Sequence, residues 1–226
     1  MTTKNDDASA ELLIREVDEE LRHEQLEQLW KKHGNLAVGA AVALVLSVAG
    51  WQGWNTWQTK QRAQSGGQFS AAMQTLQQGN RDQAVAELGK VAAEGTAGYQ
   101  ILADFKLADI KLAAGERDAA IALFDRIANG RGDDIYRDLA RLKAAYLKLD
   151  GADPAAAEAS VASLAVESSP WRHSAREIQA LAAVKRGDTA RAAELFGKIA
   201  DDPAAPQGVR ARAAEMLAAT GPKAKG

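Results

Sequence analysis

The fold is decided by the segment YQILADFKLADIKLAAGERDAAIALFDRI, which occupies residues 99–127. Its first part, up to Ala114, places apolar residues at helical spacing. Gly115 then ends that helix, because glycine adopts the positive φ of a helix C-terminus at little cost. Asp118 is a capping residue type, and a second run at helical spacing follows it. The segment therefore predicts two short helices joined by a tight turn.

The same pattern recurs four times with a period of 36 residues. The turn glycines are Gly79, Gly115, Gly151 and Gly187. Two columns of alanines share their register: Ala72, Ala108, Ala144 and Ala180, and Ala84, Ala120, Ala156 and Ala192. Such periodicity is typical of repeat proteins, in which each unit buries its apolar face against its neighbours. We therefore predict an all-α fold, a helical-hairpin solenoid over residues 68–220 with about four units and a terminal helix.

The composition agrees with this fold and excludes several classes of protein. The 226 residues include 28 Lys and Arg against 30 Asp and Glu, whereas a dedicated nucleic-acid-binding protein usually has a basic excess. Without cysteine there is no disulfide, no thiolate nucleophile and no cysteine-based zinc site. The three histidines fall in separate regions, and no GxSxG or P-loop motif is present. We expect no enzymatic activity, no metal, no cofactor and no nucleic-acid partner.

One segment, Leu36–Trp54, has 19 residues and no formal charge. As a helix it would be about 28 Å long, close to the hydrocarbon thickness of a bilayer. Tryptophan and lysine favour the interfaces of a membrane, and they flank this segment at Trp30, Lys31, Lys32, Trp51, Trp54 and Trp57. We predict a single transmembrane helix over residues 34–57. The alternative, a buried core helix, is disfavoured because no other segment is apolar enough to surround it.

The membrane orientation rests on few charges. Arg22, Lys31 and Lys32 precede the span, and Lys60 and Arg62 follow it. This bias favours a cytoplasmic N-terminus. A secretory signal cleaved after Ala49 is the competing interpretation, although the nine acidic residues within residues 1–33 make a poor signal n-region.

The remaining parts of the chain follow from this division. Residues 1–33 form an acidic, partly helical cytoplasmic stub that either docks a protein or is a solvated lead-in to the span. Residues 58–67 form a linker with a hinge at Gly66–Gly67, and residues 221–226 form a flexible tail. Within the span, small residues lie four apart at Gly39, Ala43 and Ser47. This spacing suits a face that packs on another helix, although small residues are common in any membrane helix.

The repeat resembles the tetratricopeptide repeat in its small residue midway along the first helix, its turn glycine, the alanine early in the second helix, and Phe124 or Phe196 four residues later. The third unit departs from the pattern, with Ser160 in place of the aromatic and Asp153–Pro154 opening its second helix. The join LWKKHG at residues 29–34, followed by the span and the repeats, resembles the YfgM-type family of ancillary subunits of the bacterial Sec translocon.

That second resemblance implies an inner-membrane protein with a cytoplasmic N-terminus and a periplasmic repeat domain. It also implies association with the Sec translocon, with a membrane-anchored prolyl-isomerase-like chaperone and with exported polypeptides. A scaffold for envelope or outer-membrane assembly and a soluble periplasmic carrier released by cleavage remain alternatives.

The tetratricopeptide resemblance further implies that the first helix of each unit lines a concave binding groove. The residues concerned are Phe69, Met73, Leu102, Phe105, Asp109, Arg141, Lys148, Glu177 and Leu181. Apolar patches with mixed charge suit a bound peptide segment. In the alternative interpretation, Leu102 and Phe105 are simply core residues.

Overall fold

The computed structural model describes the backbone of residues 3–151 and 153–220, and the side chains of residues 30–36, 38–40, 42–151 and 153–220. All regular secondary structure in these residues is helical, and a short 3₁₀ helix at Ala162–Leu164 joins the following α-helices. They are α1 (Thr3–Gln77), α2 (Arg81–Glu94), α3 (Ala97–Ala113), α4 (Arg117–Ala128), α5 (Asp134–Leu149), α6 (Pro154–Ser160), α7 (Arg172–Lys185), α8 (Thr189–Ala200) and α9 (Gln207–Thr220). The predicted all-α class is confirmed. The predicted tail at residues 221–226 lies outside the described residues.

The chain divides into two compact units after Lys60. In the first of these compact units, seven large apolar side chains of α1 are at least half exposed: Leu36, Val38, Val42, Leu44, Val45, Leu46 and Val48. At the start of this stretch the Trp30 ring covers Gly34, where an added Cβ would lie 3.3 Å from the indole. This helix is long and apolar enough to cross a membrane.

The second unit begins inside α1, and the expected hinge at Gly66–Gly67 is corrected by the structure. The helix continues through residues 58–67 without a break. Gly66 packs closely against Tyr99, since a Cβ built at position 66 would lie 2.6 Å from the Tyr99 hydroxyl and would displace that ring. Next to it, the Ser65 hydroxyl accepts a hydrogen bond of 3.0 Å from the Thr96 backbone N–H. These contacts join the last part of α1 to the start of α3.

Four helical hairpins follow one another in this second unit. The end of α1 pairs with α2, α3 with α4, α5 with α6, and α7 with α8, while α9 packs against α7 and α8 as a terminal helix. Each hairpin buries its apolar face partly against the next. In the first joint, Leu88 and Val91 of α2 share one core with Ala103 and Leu107 of α3.

The alanine columns that defined the repeat lie in the cores of the hairpins, with the exception of Ala156 in unit three. Ala72, Ala108, Ala144 and Ala180 are all at most 1% exposed, as expected where small side chains let helices cross closely. Phe124 and Phe196 are also buried, as is Leu88, which occupies the equivalent position in unit one. The turn glycines Gly79, Gly115 and Gly187 have φ values of +84°, +78° and +79°. The 36-residue period of the sequence therefore corresponds to a repeat in how the helices pack.

Unit three departs from this pattern where its sequence does. Its second helix, α6, has seven residues, and the Asp153 carboxylate caps it by accepting a 3.0 Å hydrogen bond from the Ala156 N–H. The Ser160 hydroxyl donates back to the Ala157 carbonyl, so the column position that holds a buried aromatic in units two and four holds a locally satisfied polar group. Ala156 itself is exposed, and Gly151 lacks a positive φ. The short α6 therefore coincides with the absence of the buried aromatic residue that units two and four have at this position.

Candidate partner-binding surface

All nine residues of the predicted groove lie on the first helices of the four units, but their environments differ. Leu102 and Asp109 on α3 are exposed, and Glu177 on α7 is buried. The others are half-buried: Phe69, Met73, Phe105, Arg141, Lys148 and Leu181.

The two phenylalanines are shared between core and surface. Phe69 packs against Tyr99 with ring centroids 6.0 Å apart, and Phe105 packs against Phe124 at 5.9 Å. Tilted pairs at these separations are favourable aromatic contacts. Leu102 is 41% exposed, which is high for a large apolar side chain inside a helical hairpin. On α3, an exposed leucine and a half-buried aromatic are therefore available to a partner.

The charged members of the groove are paired within the chain. Lys143 lies 3.8 Å from Asp109, and Arg141 lies 3.0 Å from Asp138 one turn earlier. Lys148 donates to both carboxylate oxygens of Asp125 on α4, at 2.8 and 2.9 Å. Pairs with this much solvent contact stabilise a fold by about 0–1 kcal/mol each, so a charged ligand competes with them at small cost.

Glu177 does not present a carboxylate to a groove, which corrects its predicted role. It is 5% exposed. It accepts hydrogen bonds from the Tyr146 hydroxyl at 2.8 Å and from two nitrogens of Arg212 at 2.8 and 3.0 Å. Burial raises the pKa of the Tyr146 phenol, and the hydrogen bond to Glu177 raises it further. Glu177 therefore joins α7 to α5 and α9, and it is a structural residue.

Leu181 is similarly committed to packing, because it contacts the cores of both unit three and unit four. The fourth unit thus contributes little free surface at the predicted positions. The accessible part of the predicted groove lies on units one to three.

A cavity of about 430 Å³ lies between the end of α1 and α3 in this accessible part. Its lining residues are Leu76, Gly79, Arg81, Lys106, Asp109, Ile110 and Ala113. Among them only Asp109 was expected from the sequence. Lys106 and Ala113 lie three and four residues from Asp109 on α3, so helical spacing could have identified them. Arg81 comes from the start of α2 and donates to the Ile110 carbonyl, a long-range contact that no local pattern indicates.

The predicted features of the membrane helix lie in the compact unit that ends at Lys60. Trp30, Trp51, Trp54 and Trp57 are 54–73% exposed, and Lys31 and Lys32 are also exposed. On the small-residue face, the Ser47 hydroxyl donates to the Ala43 carbonyl at 2.7 Å, and nothing lies within 4 Å of a Cβ built on Gly39. In the described part of the chain, no group of three or more His, Cys, Asp or Glu could hold a metal ion.

A family model described as a tetratricopeptide repeat-like domain matches residues 27–217. No curated protein and no solved structure is significantly similar to the chain. Domains of this kind bind protein partners and are generally non-catalytic. With four hairpins in register and a match over most of its length, this chain belongs to the tetratricopeptide repeat-like domain family.

Proposed function

We propose that this protein is a non-enzymatic, single-pass membrane protein whose repeat domain binds polypeptide partners. The observation that supports it most directly is the exposure of seven large apolar side chains between Leu36 and Val48. Moving such side chains from water into hydrocarbon would contribute of the order of 10 kcal/mol in total. A helix with apolar residues all around it is accommodated either by the core of a large protein or by lipid, and these side chains are not buried by the described residues of the chain.

The proposed topology places residues 1–33 in the bacterial cytoplasm, residues 34–57 in the inner membrane and residues 68–220 in the periplasm. The excess of basic residues before the span supports this orientation. The exposed tryptophans at both ends of the span support an interfacial position for each end.

The proposed partners are the Sec translocon, a membrane-anchored prolyl-isomerase-like chaperone and exported chains. Support comes from the LWKKHG join and from the start of the family match at residue 27, before the span. The match therefore covers the apolar helix together with the repeats. In this proposal the repeat domain holds a chaperone or client beside the translocon.

Site-specific photocrosslinking in intact cells tests the proposal. A photoreactive residue at Leu102 should yield adducts with translocon, chaperone or exported polypeptide. The matched control is the same residue at Ala156, which is also helical and exposed but lies on α6, a second helix outside the predicted groove. Adducts from both positions alike, or only lipid adducts from Leu102, would contradict the proposal. Adducts with envelope-assembly proteins and none with the translocon would favour the scaffold alternative.

A further inference from the structure

We propose that the cavity between α1 and α3 binds an acidic side chain that neighbours an apolar side chain in an extended segment of the protein partner. This inference rests on the proposed function and specifies the chemistry of the bound segment. The cavity, defined by its lining from Leu76 to Ala113, combines an apolar wall with two cationic side chains.

The apolar wall consists of Leu76, Ile110 and Ala113. Leu76 packs against the first core, of which Ile110 is a member, so the side chains that form this wall are held in place. A preformed apolar wall binds an apolar side chain without the entropic cost of ordering its own residues. This half of the cavity selects for an apolar residue in the partner.

The polar half of the cavity has a net positive charge. The Arg81 guanidinium is oriented by its hydrogen bond to the Ile110 carbonyl. Lys106 has no ion pair among the described residues, and its position on α3 faces the same cavity. Asp109 is the single carboxylate of the lining, and Lys143 offsets its charge from 3.8 Å away. An incoming carboxylate therefore meets one fixed cation and one uncommitted cation.

The number of cations favours a polypeptide over the other anionic macromolecules. Nucleic-acid binding depends on neutralising a series of phosphates along the backbone. Recognition of anionic lipid typically uses a cluster of about four to eight Lys and Arg residues. Two cations beside an apolar wall match one carboxylate and one apolar side chain, which is the scale of a short peptide motif.

Selection from a random heptapeptide display library tests the inference. The target is the full-length protein in nanodiscs of neutral phosphatidylcholine. Three variants are selected in parallel: Lys106→Met, Lys106→Glu and, as the matched control, Lys90→Glu. Lys90 is an exposed lysine of α2 that does not line this cavity. Far-UV circular dichroism confirms that each variant is folded.

The wild-type protein and Lys90→Glu should enrich peptides with Asp or Glu adjacent to an apolar residue. Lys106→Met should lose this enrichment, and Lys106→Glu should favour basic peptides instead. For an individual acidic peptide, Lys106→Met should weaken binding about two- to fivefold, the range measured for partly exposed charge pairs.

Absence of acidic enrichment, or the same enrichment with Lys106→Met, would overturn the inference. Displacement of the peptides by anionic phosphatidylglycerol vesicles, but not by neutral ones, would overturn it in favour of a lipid headgroup. If Leu102 still crosslinks to polypeptide in cells under either result, the proposed function stands and only the acidic specificity fails. If that crosslinking is also absent, both fail.

Discussion

Replacing Ala120 with leucine should destabilise the repeat domain, whereas the same replacement at Ala156 should have almost no effect. The two alanines occupy the same position of the 36-residue repeat. Ala120 is 0% exposed and belongs to the core around Phe124 and Ile127, while Ala156 is exposed on α6. Alanine and leucine have similar helix propensities, so packing is the main difference between the two substitutions.

The expected magnitude follows from this difference in burial. Extra methylene and methyl groups in a filled core cost about 1–3 kcal/mol, and an exposed substitution usually changes stability by less than about 0.5 kcal/mol. For a protein of this size, each kcal/mol lowers the melting temperature by about 2–4 °C. Ala120→Leu should therefore melt about 2–12 °C below the wild type, and Ala156→Leu within about 2 °C of it.

Thermal unfolding of the full-length protein in detergent, followed by circular dichroism at helical wavelengths, measures both shifts. Equal shifts for the two variants would refute the packing argument, because the burial of the substituted alanine would then not determine the loss of stability. An unchanged melting temperature for Ala120→Leu would refute it as well.

Three further predictions concern stability. Phe196→Ala should lower the free energy of unfolding by about 3–5 kcal/mol, because Phe196 is 0% exposed in the core of unit four; urea titration measures the loss, and a loss below about 1 kcal/mol would contradict it. Gly115→Ala should lower the free energy of unfolding by about 1–2 kcal/mol, since the φ of Gly115 is +78°. Gly197→Ala should raise it by about 0.5–1 kcal/mol, because Gly197 lies inside α8 with open space around it. Urea titration should therefore show changes of opposite sign for the two variants, and changes of the same sign would contradict the prediction. The hydrogen bond from His173 holds the pKa of the Asp202 carboxyl below its usual value. Asp202 therefore stabilises the fold above about pH 4, and this contribution is lost as the pH falls through the lowered pKa. In urea titrations at falling pH, Asp202→Asn should lose less stability than the wild type. A pH profile identical to that of the wild type would show that Asp202 does not contribute to the acid-induced loss.

Much of the fold could be predicted because its signal is local and repeated. Each hairpin depends on the same few residue types at fixed spacing, such as Ala108, Gly115 and Phe124. Ala108 and Phe124 are buried, and Gly115 has the positive φ that ends a helix. The irregular unit three was also visible, since Ser160 and Pro154 break the pattern in sequence and in structure.

The binding surface could be predicted less well because it depends on contacts between units. The 36-residue period places Phe105 and Glu177 at equivalent positions, two repeats apart. An argument from the period alone therefore gives the two residues the same role. The structure separates them, because Glu177 meets Tyr146 and Arg212, which are 31 and 35 residues away in sequence. Gly66 was misjudged for the same reason, since its need for space comes from Tyr99.

The chain contains no cysteine, so single-cysteine labelling tests the anchored topology directly. Gln28→Cys and Ser163→Cys are expressed separately in bacterial cells and treated with a membrane-impermeant maleimide before and after lysis. The account predicts a full-length, membrane-bound protein in which Ser163→Cys is labelled in spheroplasts and Gln28→Cys only after lysis. Full-length protein in the soluble fraction, loss of about 49 residues from its mass, or the reverse labelling pattern would contradict it.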